Sequence, residues 1–207
     1  MIRKLITPEL DAQLQFVDGY IDRTKPLCEN PVIASAIICG AFRSLDVSVS
    51  ALTALSVRFA EEKYFVLCQS LERLECADLL ELESDTDNRQ LTKELNSVFP
   101  WIFTGDLVVC WGSSLRWWIL FDAQLALGLM TTTKLEDATE ARAAYSSEAD
   151  IINVEEAFTE CAAHEIRSLP EGLREQTGNT LFKSWGILNP TDKPPPTPDS
   201  PQQAPRY

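Results

Sequence analysis

The chain has 207 residues, of which 45% are hydrophobic, and its formal net charge is -13 at pH 7. A sequence of this size and hydrophobicity can bury one sizeable core, so we expect a single folded domain. The excess of acidic residues argues against nonspecific adhesion of the outer surface to nucleic acid or anionic membrane, although it leaves room for a local basic groove.

The cysteines and the apolar segments indicate the cellular compartment in which we expect the protein. Six cysteines occur without a CxxC pair, which is typical of reduced core thiols in a cytosolic protein. The charged residues 1–4 are followed by Pro8 before any long apolar run, so we expect no secretion signal. The apolar stretch 107–130 contains Arg116 and Asp122, and we expect it to be buried in the fold rather than to span a membrane.

Helical spacing dominates the first part of the chain. Pro8 is a helix-start signal, and the apolar residues that follow predict a helix over residues 8–23. Pro31 repeats this signal and predicts a second helix that reaches Phe42. These two segments therefore favour a helical fold.

The next apolar pattern is long. Asp46 or Ser48 can cap a third helix, and the spacing of three or four continues to Leu74 with one slip near residues 61–62. The pattern predicts either one bent helix or two helices joined closely. Polar residues 84–88 should then form a turn.

The middle of the chain is more ambiguous. Asp87 caps a short predicted helix that ends at Pro100, and residues 104–112 are the likeliest strand. The apolar run 115–130 has no clear period, so it fits either a helix or a strand, and we favour a helix.

The last fifty residues combine amphipathic helices with a proline-rich tail. We expect one helix over residues 154–169 and another from Pro170 toward Trp185, with Gly186 as its stop signal. Seven of the nineteen residues 189–207 are proline, so this tail should be exposed and disordered outside the fold.

The pattern as a whole predicts a mainly α fold. We expect a helical bundle with a four-helix-bundle-like core over residues 1–188, with at most a small β element. The tail 189–207 would lie outside this domain.

Catalytic signatures are weak. His164 is the only histidine, and no partner nucleophile is indicated for it. Ser113 and Ser114 follow Gly112 but lack the Gly-x-Ser-x-Gly pattern, and Cys161 lacks a thiol-protease signature. We therefore expect no enzyme activity, no catalytic residue and no resident metal or cofactor.

Carboxylates occur in four runs, at residues 61–62, 81–87, 136–140 and 155–156. Two runs that met across an interface would share a proton or bind calcium, whereas the simpler interpretation of each run is a solvated face. Arg116 lies in sequence among three tryptophans, which would either stack a nucleic-acid base or pack in the core, and we favour packing.

Four ordered blocks of sequence resemble the coat proteins of rod-shaped plant RNA viruses, of the tobamovirus and tobravirus type. The blocks are Ile6-Thr7-Pro8 with Gln15-Phe16-Val17 and Leu27-Cys28; Gly40 and Phe42 with the helix through Phe59; Asp122–Gly128 followed by Thr132 and Lys134; and Val154–Ala157 followed by Lys183–Ile187. The proline-rich extension after them is similar to that of the tobravirus type. Together they touch about half of the chain.

The resemblance implies a self-assembling subunit with a four-helix bundle that packs into a helical rod around single-stranded RNA. The candidates for contacts to RNA phosphates are Arg43, Arg58, Lys134 and Arg142. Glu155 and Glu156 would be carboxylates that repel each other across subunits and drive disassembly, with Ca²⁺ as a possible ligand between subunits.

The alternative is a second class of function, which nothing in the composition contradicts. An acidic, non-enzymatic protein can cover a basic protein partner, as an inhibitor or immunity-type antagonist does, or serve as an accessory subunit of a large complex. The coat interpretation places the protein in a virion or the host cytoplasm, and neither interpretation requires secretion or a membrane.

Overall fold

The computed structural model describes residues 2–6, 8–24, 32–34, 36–39, 45–69, 77–98, 107–122, 127–152 and 185–187. The helices are α1 (Glu9–Asp18), α2 (Leu45–Arg58), α3 (Asn88–Val98) and α4 (Leu135–Ser146). The strands are β1 (Ile2–Lys4), β2 (Val32–Ala34), β3 (Ala36–Cys39), β4 (Lys63–Gln69), β5 (Ala77–Glu83), β6 (Leu107–Gly112), β7 (Trp117–Asp122), β8 (Leu127–Thr132), β9 (Ile151–Ile152) and β10 (Trp185–Ile187).

A large antiparallel sheet organises the fold. Eight strands pair in the order β1-β5-β4-β6-β7-β8-β3-β9, and every pairing is antiparallel. A separate two-stranded sheet joins β10 to β2 in parallel. The predicted helical bundle with a small β element is therefore wrong, and so is the all-α description, because the chain has a mixed α/β fold.

The central strands are buried on both faces of this sheet. In β4, Tyr64, Val66 and Cys68 belong to the core shared with the helices, whereas Phe65 and Leu67 point to the opposite face. All five side chains are buried. Because both faces are covered, the strand reads as a continuous apolar run without polar alternation.

Three helices cover one face. α2 contacts both α3 and α4. The core beneath them collects apolar side chains from these helices and from the strands of the sheet. Its largest helical members are Leu52, Leu55, Leu91, Leu95 and Tyr145, and its largest members from the strands are Tyr64, Trp117 and Phe121.

α1 packs on the other face of the sheet through aromatic rings. The rings of Phe16 and Tyr20 lie 4.9 Å and 4.4 Å from the ring of Trp118. Trp118 in turn stacks at 5.4 Å on Trp111, its directly opposed partner on β6, and Trp111 stacks at 5.4 Å on Phe65. Stacked pairs of this kind add to the free energy gained by burying the rings.

The predicted helices of the first part are confirmed in part. The helix expected over residues 8–23 is α1, and the helix expected at Asp46 or Ser48 is α2, which begins at Leu45 and ends at Arg58. The second predicted helix is wrong, since the described residues between Pro31 and Phe42 form β2 and β3.

Of the remaining predictions, some are confirmed and some are wrong. The helix capped by Asp87 and the strand ending at Gly112 are confirmed as α3 and β6. The favoured helix over 115–130 is wrong, because the described residues of that run form β7 and β8. The continuation of the third helix is also wrong, because its described residues 63–69 form β4. Gly186 lies inside β10 and does not stop a helix.

Two predicted regions lie outside the described residues: the helices over 154–169 and from Pro170 to residue 184, and the tail 189–207. The domain boundary at residue 188 stays a prediction. Within the described part of the chain, no helix has the length and apolar character needed to cross a membrane.

Candidate functional site

The strand register brings three of the four carboxylate runs to one end of the sheet. Lys63, at the start of β4, pairs with Glu83 at the end of β5, and Tyr64 pairs with Gly112 at the end of β6. Trp117, at the start of β7, pairs with Thr132 at the end of β8, and α4 begins three residues later at Leu135. We call the carboxylates at this end the acidic rim: Glu62, Glu83, Asp85, Asp87 and Glu136.

The end of α2 places a buried carboxylate beside this rim. The amide of Glu61 donates to the carbonyl of Ser56 at 2.8 Å, and the amide of Ala60 donates to that of Val57 at 3.2 Å. This pair of bonds is a Schellman ending, and Ala60 has the left-handed φ of 53° that such an ending requires. The chain therefore turns sharply, and the Glu61 side chain is only 6% exposed.

Glu61 holds the turn between β6 and β7. Its carboxylate accepts bonds from the Ser113 hydroxyl and the Ser114 amide, both at 2.8 Å, and from the Ser114 hydroxyl. Gly112 makes room for this contact, because an added Cβ would overlap the Glu61 carboxylate and lie 2.6 Å from Nε1 of Trp117. Both serine hydroxyls are thus engaged in fixing the turn.

A second buried carboxylate holds the same turn from α4. Asp137 is 2% exposed, and its carboxylate accepts two bonds from the Arg116 guanidinium. Nε donates to Oδ2 at 3.1 Å, and Nη2 donates to Oδ1. This hydrogen-bonded pairing raises the pKa of Arg116 above its usual value. The guanidinium carbon also lies 4.7 Å from the ring centre of Phe59.

The alternative of nucleic-acid base stacking at Arg116 has no support in this geometry. Trp111, Trp117 and Trp118 are each at most 1% exposed, so their faces are closed to an external base. The favoured interpretation of the three tryptophans as core packing is confirmed. The ring that contacts Arg116 is that of Phe59, which sequence reasoning did not identify.

Two carboxylates of the acidic rim lie at helix N-termini, where they interact favourably with the helix. Oδ1 of Asp87 accepts bonds at 3.1 Å from the amides of Arg89 and Gln90 and so caps α3, and Glu136 lies in the first turn of α4. Glu62 and Asp85 have no such role. Both are exposed, and neither forms an ion pair with a cation of the described residues.

Most described cations are already matched by carboxylates. The ion pairs join Arg3 to Glu9 and Glu81, Lys4 to Asp78, Arg23 to Asp18, Arg58 to Glu140, Lys63 to Glu81, Arg116 to Asp137 and Lys134 to Glu136. Arg89 and Lys93 lie exposed on α3. Positive charge is thus mostly engaged within the molecule, while exposed acidic groups remain.

The structure separates the residues predicted to contact RNA phosphates. Arg58 pairs with Glu140 at 3.0 Å, and Lys134 lies 3.8 Å from Glu136. Arg142 is half-buried and follows Glu140 by two residues, so at 3.6 residues per turn these two side chains leave opposite faces of α4. Arg58, held at Glu140, therefore lies on a different face from Arg142. Arg43 lies outside the described residues.

The other predicted site residues are not described. Glu155 and Glu156, the candidate disassembly switch, lie outside the described residues, as does His164. Among the described residues, no group of three or more histidines, cysteines or carboxylates is arranged to hold a metal ion.

The comparisons with known proteins do not indicate a function, so the interpretation rests on the geometry described above. No protein-family model matches this sequence, and neither the curated proteins nor the solved structures include a significant match to it.

Proposed function

We propose that this chain is an acidic, non-enzymatic interaction protein that covers a basic surface of a protein partner. The observation that carries the proposal is the charge arrangement at the acidic rim. Glu62 and Asp85 are exposed there without ion pairs to described cations, in a molecule whose net charge is -13. A surface with an excess of one charge attracts a partner of the opposite charge and accelerates encounter.

The framework behind the rim supports a docking role because it is held in place. Glu61, in the loop after α2, and Asp137, in α4, fix the turn at residues 113–116, with the strands of the sheet beneath it. A contact surface that is ordered before binding loses less conformational entropy when the partner docks. The partner gains attraction from Glu62 and Asp85 without rearranging the fold.

The coat-protein interpretation stays a prediction, and the described residues favour it less. Arg58 and Lys134 already contact carboxylates of this chain, so an RNA phosphate would have to compete with those contacts. The four-helix bundle that the resemblance implies is also not the fold observed.

The test compares binding of two probes, a lysine-rich peptide and a single-stranded RNA oligonucleotide. We expect the full chain to bind the peptide, with an affinity that falls as salt rises, and to leave the RNA unbound. Replacing Glu62→Lys together with Asp85→Lys should weaken peptide binding by about tenfold or more, measured by fluorescence anisotropy.

The matched control is the pair Asp11→Lys and Glu148→Lys, which changes the net charge equally at exposed positions away from the rim. Peptide affinity should stay within about threefold for this pair. An equal loss in both double variants would show that the rim is not a site. Binding of RNA in preference to the peptide, with rods or discs in negative-stain images, would favour the coat interpretation instead.

A further inference from the structure

The side of α2 that faces away from the sheet carries two solvent-exposed valines. Val57 is 67% exposed and Val47 is 37% exposed, whereas Leu52 of the same helix is 1% exposed. The valines and the half-buried Ser50 and Ala54 between them follow spacings of three, four and three residues, so all four side chains leave one face of the helix. We call these four residues the α2 outer face, and it is narrow and mostly apolar.

The spacing on the α2 outer face is the one by which helices pack against each other. Alternating steps of three and four residues place side chains along the seam of a helix pair. The small side chains of Ser50 and Ala54 allow a second helix to approach closely, and the valines on either side of them provide apolar contacts. From Val47 to Val57 the face extends about 15 Å, which is nearly three helical turns. The face is thus long enough to receive a short helix.

The C-terminal end of the α2 outer face adjoins the acidic rim. The carbonyl of Val57 accepts a bond from the amide of Ala60 at 3.2 Å, and the chain reaches Glu62 two residues later. The amide of Ser84 donates to the carbonyl of Glu62 at 3.1 Å, which brings Asp85 to the same end. An exposed apolar side chain therefore lies close to two exposed carboxylates.

The cations beside this end of α2 are neutralised within the molecule. Arg58 follows Val57 in sequence, and its guanidinium pairs with Glu140 of α4 at 3.0 Å. Lys63, at the start of β4, pairs with Glu81 at 3.1 Å. The exposed carboxylates of the acidic rim therefore determine the charge that a partner meets at the end of the helix.

We propose that the α2 outer face and the acidic rim together bind an amphipathic basic helix of a protein partner. The apolar stripe of the partner helix packs along α2 between Val47 and Val57, and its lysine or arginine side chains reach Glu62 and Asp85. The proposal rests on the function proposed above and specifies the form of the partner. Because the carboxylates lie at one end of the face, they also select the direction in which the partner helix lies.

The combination of apolar and acidic groups distinguishes this partner from other occupants. A polycation without an apolar stripe would leave the valines in water, and a neutral helix would gain no attraction from the carboxylates. A second copy of this chain fits less well, because two molecules of net charge -13 repel each other.

The experiment measures binding of three peptides of equal length and equal positive charge to the full-length protein by fluorescence anisotropy. The first is an amphipathic helix with leucines on one face and lysines beside them, the second has the same composition in scrambled order, and the third is lysine-rich without apolar residues. We expect the amphipathic peptide to bind about tenfold more tightly than the scrambled one. This ratio should persist as salt rises, because salt screens only the charged contacts.

Replacing Val47→Ser together with Val57→Ser should weaken binding of the amphipathic peptide by about tenfold and leave binding of the lysine-rich peptide within about threefold. Serine and valine have similar helix propensities, so α2 keeps its helix, and far-ultraviolet circular dichroism verifies this. Val57→Thr keeps the shape of the side chain, adds a hydroxyl, and should weaken the amphipathic peptide in the same direction.

The matched control is Ile6→Ser, which removes a side chain that is 69% exposed, nearly the same fraction as Val57. Ile6 follows β1, which runs along β5 away from the rim, and its replacement should leave the affinity for all three peptides unchanged.

The outcomes separate this inference from the function on which it rests. Equal binding of the amphipathic and scrambled peptides, or full affinity in the folded valine variants, would overturn this inference alone. Absence of binding by all three peptides would overturn the proposed function with it. A dimer of the chain in sedimentation velocity that dissociates in the double valine variant would show that a second copy occupies the face, and it would also overturn the inference.

Discussion

Two non-glycine residues near the acidic rim adopt the left-handed backbone conformation. Ala60 has φ 53° and Leu115 has φ 62°. In an L-residue this conformation costs roughly 1–2 kcal/mol, because Cβ approaches the following carbonyl oxygen. Ala60 directs Glu61 into the core, and Leu115 lies in the turn that Glu61 holds. Both strained residues, Ala60 and Leu115, therefore lie next to the contact by which the buried Glu61 carboxylate fixes the turn.

Replacing Ala60→Gly should raise the free energy of unfolding by about 1 kcal/mol, because glycine adopts a positive φ without the Cβ clash. Urea denaturation monitored by circular dichroism measures the change. The opposite control is Ala12→Gly, at an exposed position inside α1, which should lower the same free energy by about 0.5–1 kcal/mol. If both variants were destabilised equally, the left-handed geometry at Ala60 would be incorrect.

Some residue roles could be predicted from the sequence and others could not. Asp87 was predicted to cap a helix because an aspartate followed by helical apolar spacing is a local signal, and its bonds to Arg89 and Gln90 confirm it. The role of Glu61 depends on Ser114, which lies 53 positions away and meets it only through the β4–β6 register. Spacing along the chain carries no information about such a contact.

Strands buried on both faces explain why the elements were partly misassigned. Tyr64 and Leu67 are three residues apart, which fits a helix, yet in β4 they point to opposite faces of the sheet. Trp117 and Trp118, which are neighbours in β7, also point to opposite faces of the sheet, and both are buried. A two-sided core removes the polar alternation that identifies a strand, whereas α1 and α3, each with one covered face, kept a helical pattern.

The edge strand β1 is attached to the sheet through a shared carboxylate. Glu81 of β5 accepts bonds from Arg3 at 3.2 Å and 3.0 Å and from Lys63 of β4 at 3.1 Å. The bonds from Arg3, followed by the bond from Lys63, lower the pKa of Glu81 below its ordinary value of 4.5, although partial burial opposes this shift. Three adjacent strands thus meet at one ionised side chain.

A lowered pKa in the folded state stabilises the fold above the ordinary pKa, and this stabilisation is lost as the pH falls through the folded pKa. Glu81→Gln should therefore reduce the melting temperature most at about pH 7, and the difference from wild type should shrink below about pH 4.5. Thermal melts across this range measure it. Glu62→Gln makes the same change at an exposed residue that pairs with no described cation, and it serves as the matched control. A Glu81→Gln deficit that grew in acid would contradict the assignment.

The whole molecule carries 31 acidic residues against 18 basic ones. Many of the described cations lie in exposed pairs such as Arg58 with Glu140, and each such pair contributes at most about 1 kcal/mol. The unmatched acidic charge repels itself across the folded surface, and this repulsion opposes compaction. Screening by salt should thus act mainly on the excess charge.

Raising sodium chloride from about 20 mM to about 500 mM should increase the melting temperature by about 2–4 °C, because it screens this repulsion. The triple variant Glu62→Gln, Asp85→Asn and Glu148→Gln removes three exposed charges and should show a smaller increase, as measured by differential scanning fluorimetry. A melting temperature that fell with salt would mean that the ion pairs outweigh the repulsion.

The ring stack between α1 and the sheet gives the molecule an intrinsic optical reporter. Trp111 and Trp118 lie 5.4 Å apart between ring centres with an angle of 20° between their planes, close enough for their excited states to couple. Tyr20, two residues after the end of α1, lies 4.4 Å from Trp118 between ring centres, close enough for its phenol to pass absorbed energy to the indole. Detachment of α1 would therefore change the emission of the native chain without an added dye.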